Sequence, residues 1–343
     1  MRRLFSVLSL VAFVVPANHA LAQGGIRLAP FTASDALDVA TWSVADLAAD
    51  GRWLAATATT RRASLGVDFR RDGDPSYIRP ASVRLYAIDT RSGDTTAVLP
   101  AAGNVRSVAW SPDGNTLAML VLQGEHFAPH TWSRTSRKLT RLAVPAGSYV
   151  AENSELQWSG DGTRVFLALR SDKWLTRAGA EFDRMTRGPI FVQDAKDPFM
   201  AWDNLRRLGN IRSIASIDVA TGKATTLVPE GMIGTWRVSE DDSVVSWSDD
   251  ITKKTDYDVI FGSEQKLLAR RLTGGDVMTV FPTLKGIALT WHDDGRRYAY
   301  SREGRVYVGQ VGGAAPRQIA GPDSAARPND ADTTAAARTA RAN

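Results

Sequence analysis

The chain has 343 residues, 43% hydrophobic and 23% charged, and it contains no cysteine. That is the composition of a globular protein with ample material for a core, and the missing cysteine excludes disulfides, thiolate metal sites and a lipid anchor on a cleavage-point cysteine. The formal charge of +5 comes without a basic stripe interleaved with aromatics, so nucleic acid is not an expected partner.

Arg2 and Arg3 precede a largely apolar run over residues 4–15, and Ala20-Leu21-Ala22 supplies a small-x-small site. The run is too short to span a bilayer, which takes about 20 residues. Residues 1–22 therefore read as a secretory signal, with cleavage near Ala22 and export to the periplasm or the medium. No other apolar run approaches membrane length, so no membrane span is expected. Losing Arg2 and Arg3 lowers the charge from +5 to +3.

Residues 32–40, TASDALDVA, predict a short helix, with Thr32 as N-cap and Asp35 three places on. A hairpin signature then recurs along the chain. Its clearest form is Val105 to Leu122, in which a half-buried strand, Ser111-Pro112-Asp113-Gly114 and a second, apolar strand follow one another. Pro112 presets φ, Asp113 bonds its own backbone, and Gly114 takes the positive φ that reverses the chain. Five copies line up on Leu47–Gly51, Trp110–Gly114, Trp158–Gly162, Val238–Asp242 and Trp291–Gly295.

Each copy is followed by a more polar hairpin, clearest at Val83–Leu99 and Ile214–Val228, and weaker at Thr131–Val144, Leu267–Val280 and Val306–Ile319. Four strands per unit, at a period of roughly 40–50 residues, is the pattern of a β-propeller blade. The predicted fold is all-β, with five visible blades near 40–100, 104–146, 152–230, 234–283 and 287–320. Such units bury their faces only against neighbours. A seven- or eight-bladed ring cut to five would leave Trp291 and Tyr298 of the fifth open to water.

Two excursions break the period, one from Thr60 to Ala81 and a larger one over 171–210. The second holds Trp174, Phe182, Phe191, Phe199 and Trp202, with helical turns expected near 178–186 and 201–208 and Gly209 as a C-cap. Long insertions of this kind are often functional. Arg61-Arg62 and Arg70-Arg71, in the first, read as solvated surface. From Gly321 to Asn343 the composition turns to that of a disordered tail or linker.

Chemistry is sparse. No Gly-x-Ser-x-Gly elbow occurs, and beyond residue 22 only His126, His130 and His292 remain. Glu125, His126 and His130 lie in what reads as a loop and lack the His-Glu-x-x-His spacing of a zincin. The paired aspartates at 241–242, 249–250 and 293–294 do not follow the ligand order of a calcium loop. No catalytic, cofactor-binding or metal-binding residue is assigned, and no cofactor is expected.

The Trp110–Ala118 repeat and its relatives resemble the WD40-like (PD40) blades of two groups. These are the TolB-type periplasmic propellers and the N-terminal propeller of exported serine peptidases of the prolyl-oligopeptidase family (S9). Phe31–Val39 is similar to the helical lead-in of the peptidases. Ile88-Asp89-Thr90-Arg91-Ser92-Gly93 and Ile217-Asp218-Val219-Ala220-Thr221-Gly222 resemble their outer turns. The resemblance spans about residues 31–320. It departs at Ala48-Ala49, at Ser159-Gly160 and at Glu240-Asp241-Asp242, and nothing here matches the family's α/β-hydrolase domain. It implies a gating propeller that admits short peptides to such a domain or, alternatively, a self-standing periplasmic propeller that binds protein partners.

Overall fold

The computed structural model describes residues 30–194, 196–254 and 263–322. The signal segment and residues 323–343 of the tail lie outside the described residues. The lead-in helix α1 (Ala33–Asp38) carries the full capping box: Asp35 N–H donates to Thr32 Oγ1 at 3.2 Å, and Thr32 N–H donates to the Asp35 carboxylate at 2.7 Å.

Among the described residues twenty strands follow, joined into antiparallel meanders. The first is β1 (Thr41–Leu47), β2 (Trp53–Thr59), β3 (Arg84–Asp89) and β4 (Thr95–Ala97). The second is β5 (Val105–Trp110), β6 (Thr116–Gln123), β7 (His126–Ser133) and β8 (Leu139–Arg141). After a short β9 (Ser148–Val150), the third comprises β10 (Gln157–Trp158), β11 (Arg164–Ser171), β12 (Ile211–Asp218) and the start of β13 (Ala224–Val238). The end of β13 opens the fourth, which continues through β14 (Val244–Asp250), β15 (Gln265–Arg271) and β16 (Met278–Phe281). The fifth is β17 (Ala288–Trp291), β18 (Arg297–Arg302), β19 (Arg305–Gln310) and β20 (Arg317–Ala320).

Two links were not expected from the sequence. β13 pairs with β12 over residues 224–232 and with β14 over 233–238, so one strand serves two meanders. β9 pairs with β11 and, at Val150, with Phe127 of β7. The three central meanders thus form one 12-stranded sheet, flanked by two separate four-stranded ones.

The turns are built alike. Ser111, Ser159 and Ser239 each donate a hydroxyl hydrogen bond to the aspartate two places on, at 2.5–2.6 Å. Each serine oxygen then accepts the amide that starts the next strand, at Thr116, Arg164 and Val244. Gly114 sits at φ 67°, as its turn requires. In the degraded fourth turn Asp242 takes the equivalent conformation at φ 53° without being glycine.

Apolar clusters fill the space between meanders. Trp110, Leu117, Met119 and Trp132 of the second pack on Ala48, Ala55, Leu85 and Ala87 of the first. Trp110 is 6% exposed and meets Trp132 edge to face at 6.4 Å. Phe281, Val244 and Ala269 of the fourth pack on Tyr298 of the fifth. Tyr298 is therefore buried, 6% exposed, and Trp291 lies under the Arg237 guanidinium at 4.6 Å. The expectation that both stand open to water is wrong: their face points back to the fourth meander. The open apolar face is on the first meander, where Trp42, Val44 and Leu47 are 55%, 71% and 51% exposed.

Trp110→Ala is expected to cost about 3–5 kcal/mol in chemical denaturation, and Gly114→Val about 1–2 kcal/mol through its positive φ. Two neutral results would show that this hairpin is not core. The turn aspartates add a pH dependence. Their serine partners and the following N–H donors hold Asp161 and Asp241 down at about 2. At Asp294 burial pushes the other way, but the Arg296 and Arg297 donors outweigh it and the group stays below its usual range. A depressed carboxylate contributes stability that is complete above its unfolded value and is lost as pH falls through its folded value. Urea midpoints should therefore hold steady above pH about 5 and fall between about 4 and 2; a flat profile would contradict this.

Candidate binding face

The β2–β3, β6–β7 and β11–β12 connections leave the sheets at the end opposite the serine–aspartate turns, and both excursions lie there. The second excursion folds as α2 (Asp172–Thr186) and α3 (Ala201–Leu208), close to the expected positions. Trp174, Ala178, Phe182 and Met185 of α2 fall on one face at helical spacing and are buried with Leu205 and Leu208 of α3 and with Tyr149. Trp174 Nε1 donates to the Leu208 carbonyl at 2.7 Å, which fixes one helix to the end of the other. Gly209 is the C-cap, but at φ −60° it uses none of glycine's extra freedom.

Arg61, Arg62, Arg70 and Arg71 of the first excursion are exposed, as expected, and two of them also tie the loop by ion pairs. Arg62 bonds Asp38 of α1 at 2.6 Å and Arg71 bonds the buried Asp74 at 2.6 Å. Arg71 also lies 4.7 Å over the Tyr77 ring. Asp74 accepts the amide and hydroxyl of Ser76, so this loop is held by its own polar network. The two excursions meet where Trp202 lies against Gly73; a Cβ there would come within 2.8 Å of the indole.

Beneath this junction is a cleft of about 310 Å³. Arg71, Tyr77 and Ile78 line it from the first excursion, Leu122 and His126 from the β6–β7 hairpin, and Leu175 from α2. Glu152, in the connection after β9, lines its inner part. Burial pushes the Glu152 carboxyl up, even with Arg170 Nε 3.1 Å away. The same burial lowers Arg170, which stacks 3.6 Å over Trp174 and donates to the Gly209 carbonyl at 3.0 Å. Arg106 donates to the Glu152 carbonyl at 2.6 Å. The Tyr149 ring stacks on His126 at 4.4 Å, and its buried hydroxyl has no hydrogen-bond partner.

The Glu125–His126–His130 group does not converge. The segment is a strand, not a loop, and His126 and His130 stand about 13 Å apart along it. His130 is buried, with Nδ1 2.9 Å from the Ala128 carbonyl and Nε2 3.0 Å from the Gln123 side chain. Among the described residues no three potential ligands cluster around a metal position. Nor does a hydrogen bond join a serine hydroxyl to an imidazole among those residues. What the cleft offers is a buried carboxylate, guanidinium groups and ring faces between aliphatic walls, which suits recognition of a ligand with both polar and apolar parts.

The rim of this face is apolar. Leu65 and Phe69 on the first excursion, with Ile190, Phe191, Val192, Met200 and Trp202 on the second, are all exposed. These are seven of the fourteen large apolar side chains the described fold leaves exposed, so the apolar surface is concentrated here.

No family model and no curated protein matches the chain. Solved structures do. Acylaminoacyl peptidase in complex with Z-Gly-Gly-Phe-chloromethyl ketone matches at TM-score 0.50 and 11% identity, over 82% of this chain and 40% of that one. Oligogalacturonate lyase from Vibrio parahaemolyticus matches at 0.49 and 13%, over 80% and 64%. The β-propeller domain of the Trilobed protease from Pyrococcus furiosus matches at 0.49 and 9%, over 81% and 70%. The chain thus spans less than two thirds of the peptidase and of the lyase. At such identities the likeness is one of fold alone, an all-β antiparallel architecture of the β-propeller kind.

Tyr149→Phe removes an unsatisfied buried hydroxyl and is expected to be neutral or stabilising in urea denaturation. Arg170→Ala strands Glu152 and should cost about 3–5 kcal/mol. The reverse order of effects would show that the Glu152–Arg170 pair is not a support of the cleft.

Proposed function

We propose that this chain is the non-catalytic propeller of an exported serine peptidase of the prolyl-oligopeptidase family. Its five meanders are blades in an open arc that falls short of a seven- or eight-bladed ring. The face carrying both excursions docks a hydrolase domain and controls which peptides reach it. The observation that carries this reading is the exposed apolar surface of the two excursions. A surface of this kind is a partner surface, and the same two excursions also line a cleft with a charged inner part and ring walls. Residues 1–22 direct export, and residues 321–343 act as a tail or linker.

Reading the source DNA past the codon for Asn343 tests the assignment: an in-frame α/β-hydrolase with Gly-x-Ser-x-Gly is expected. A stop codon, together with a protein partner recovered on pull-down, would replace it with the self-standing periplasmic propeller. Mass spectrometry of the exported form should find Gln23 at or near its N-terminus; retained Met1 would contradict export by cleavage. The purified chain should not turn over a proline-containing chromogenic peptide, and turnover abolished by one Ser→Ala change would overturn the non-catalytic role.

A further inference from the structure

Among the described residues, the first and fifth meanders each leave one sheet face without a neighbour. We propose that these two faces are the halves of one interface, joined head to tail between two copies of this chain. The inference is independent of what docks on the excursion face.

Cross-strand pairing defines the head face. Val44 pairs with Ala56, Leu47 with Leu54, and Leu54 with Ile88, so these residues share a side of the sheet. Trp42 lies on the same side and packs on Tyr86 at 5.2 Å between ring centres. On the fifth meander, Ala299 pairs with Val308 and Ser301 with Val306. Tyr298, next to Ala299, points the other way, into the fourth meander. The tail face therefore holds Ala299, Ser301, Val306 and Val308, with Thr290 exposed at its edge.

The junction between the first and second meanders shows what such faces accept. There the bulky side chains Trp110, Leu117, Met119 and Trp132 pack on a flatter face that holds Ala55 and Ala87 beside Leu85. Counting from the turn glycines, Leu54 occupies the place of Leu117, Leu47 that of Trp110, and Ile88 that of Trp132. By the same count Ala299 occupies the place of Ala55, and Val308 that of Ala87. The head face is thus the bulky half of a junction already made once within the chain, and the tail face is its small half. Two head faces brought together would oppose bulk to bulk.

Two further positions repeat the pattern. Asp46 of β1 accepts the Trp110 amide across the first junction at 2.6 Å. Thr290 holds the position of Asp46 in the fifth meander, with its hydroxyl available to the Leu47 amide of a second copy. Within the chain, a Cβ placed on Gly114 would lie 3.5 Å from Ala48 of the preceding turn. Gly51, its counterpart at the head, has open space where a Cβ would be. His292, exposed in the fifth turn, holds the position of Ala48 and fills that space from the second copy.

Light scattering and sedimentation of the purified chain over a wide dilution series test this. Association that dissolves on dilution is expected. Val44→Asp at the head, or Ala299→Asp at the tail, should weaken it by about a hundredfold or more. Thr290→Arg, at an exposed tail position, serves as a second tail variant should Ala299→Asp not fold. A mixture of one head variant and one tail variant, each monomeric alone, should form a one-to-one dimer, because a single intact interface remains between them. A wild-type monomer throughout the series would overturn the proposal. So would tail variants that associate like wild type, since that result assigns the contact to two head faces.

Discussion

Everything in this fold depends on how the innermost strand of one meander holds the next. These strands do not pair through their backbones; side chains bridge the gap. Asp46 accepts the Trp110 amide at 2.6 Å, Ser107 the Leu156 amide at 2.8 Å, and Gln157 the Val238 amide at 3.0 Å. Trp158 Nε1 returns a bond to the Ala109 carbonyl at 2.9 Å. Each amide so satisfied would otherwise be a half-buried donor without a partner, which costs free energy comparable to a lost hydrogen bond. Ser107 reaches its target from a bulge with φ 52°, so local backbone strain is accepted to keep the junction. The turns repeat the theme at one end of the sheets: a Cβ on Gly160 would collide with the Glu240 carbonyl, so only glycine permits that approach.

Much of this was legible in the sequence because it is local. A serine, an aspartate two places on and a glycine or its stand-in form a hydrogen-bonded turn within a few residues, and that chemistry announces itself wherever it recurs. The helices of the second excursion were expected near 178–186 and 201–208, and the structure extends the first back to Asp172 so that Trp174, Ala178, Phe182 and Met185 share one buried face. β9 and the double role of β13 were not visible. Their partners are fixed by where whole meanders sit, and the short Ser148–Val150 has no periodicity to read. Burial at the two ends misled for a related reason. Alternating apolar residues mark both faces of a strand as suitable for packing but do not say which has a neighbour, so Tyr298 was expected in water and Trp42 was not.

The cleft was the least legible feature. Arg71, His126, Glu152 and Leu175 belong to four connections, and no spacing rule links them. The sequence reading weighed Glu125, His126 and His130 for a metal and assigned none; the structure uses the His126 ring as a stacking surface for Tyr149 and buries His130 among backbone and amide partners. Glu152 gave no signal at all, because burial rather than sequence context makes it unusual. A carboxylate and a guanidinium held out of water at this depth are weak contributors to stability, although removing one alone leaves the other buried and unpaired.

One strand shared by two meanders, and one short strand bridging two others, have a consequence for cooperativity. The 12-stranded sheet is paired from β5 to β16, with the second meander joined to the third through β9 and the single pair Phe127–Val150, so a backbone ladder couples the opening of its three meanders. The sheets of β1–β4 and β17–β20 are joined to it through side chains and turns only. Each can come away while the centre stays folded. The protein is in this respect three mechanical bodies, a stiff middle and two detachable ends, and the ends are where its open faces lie.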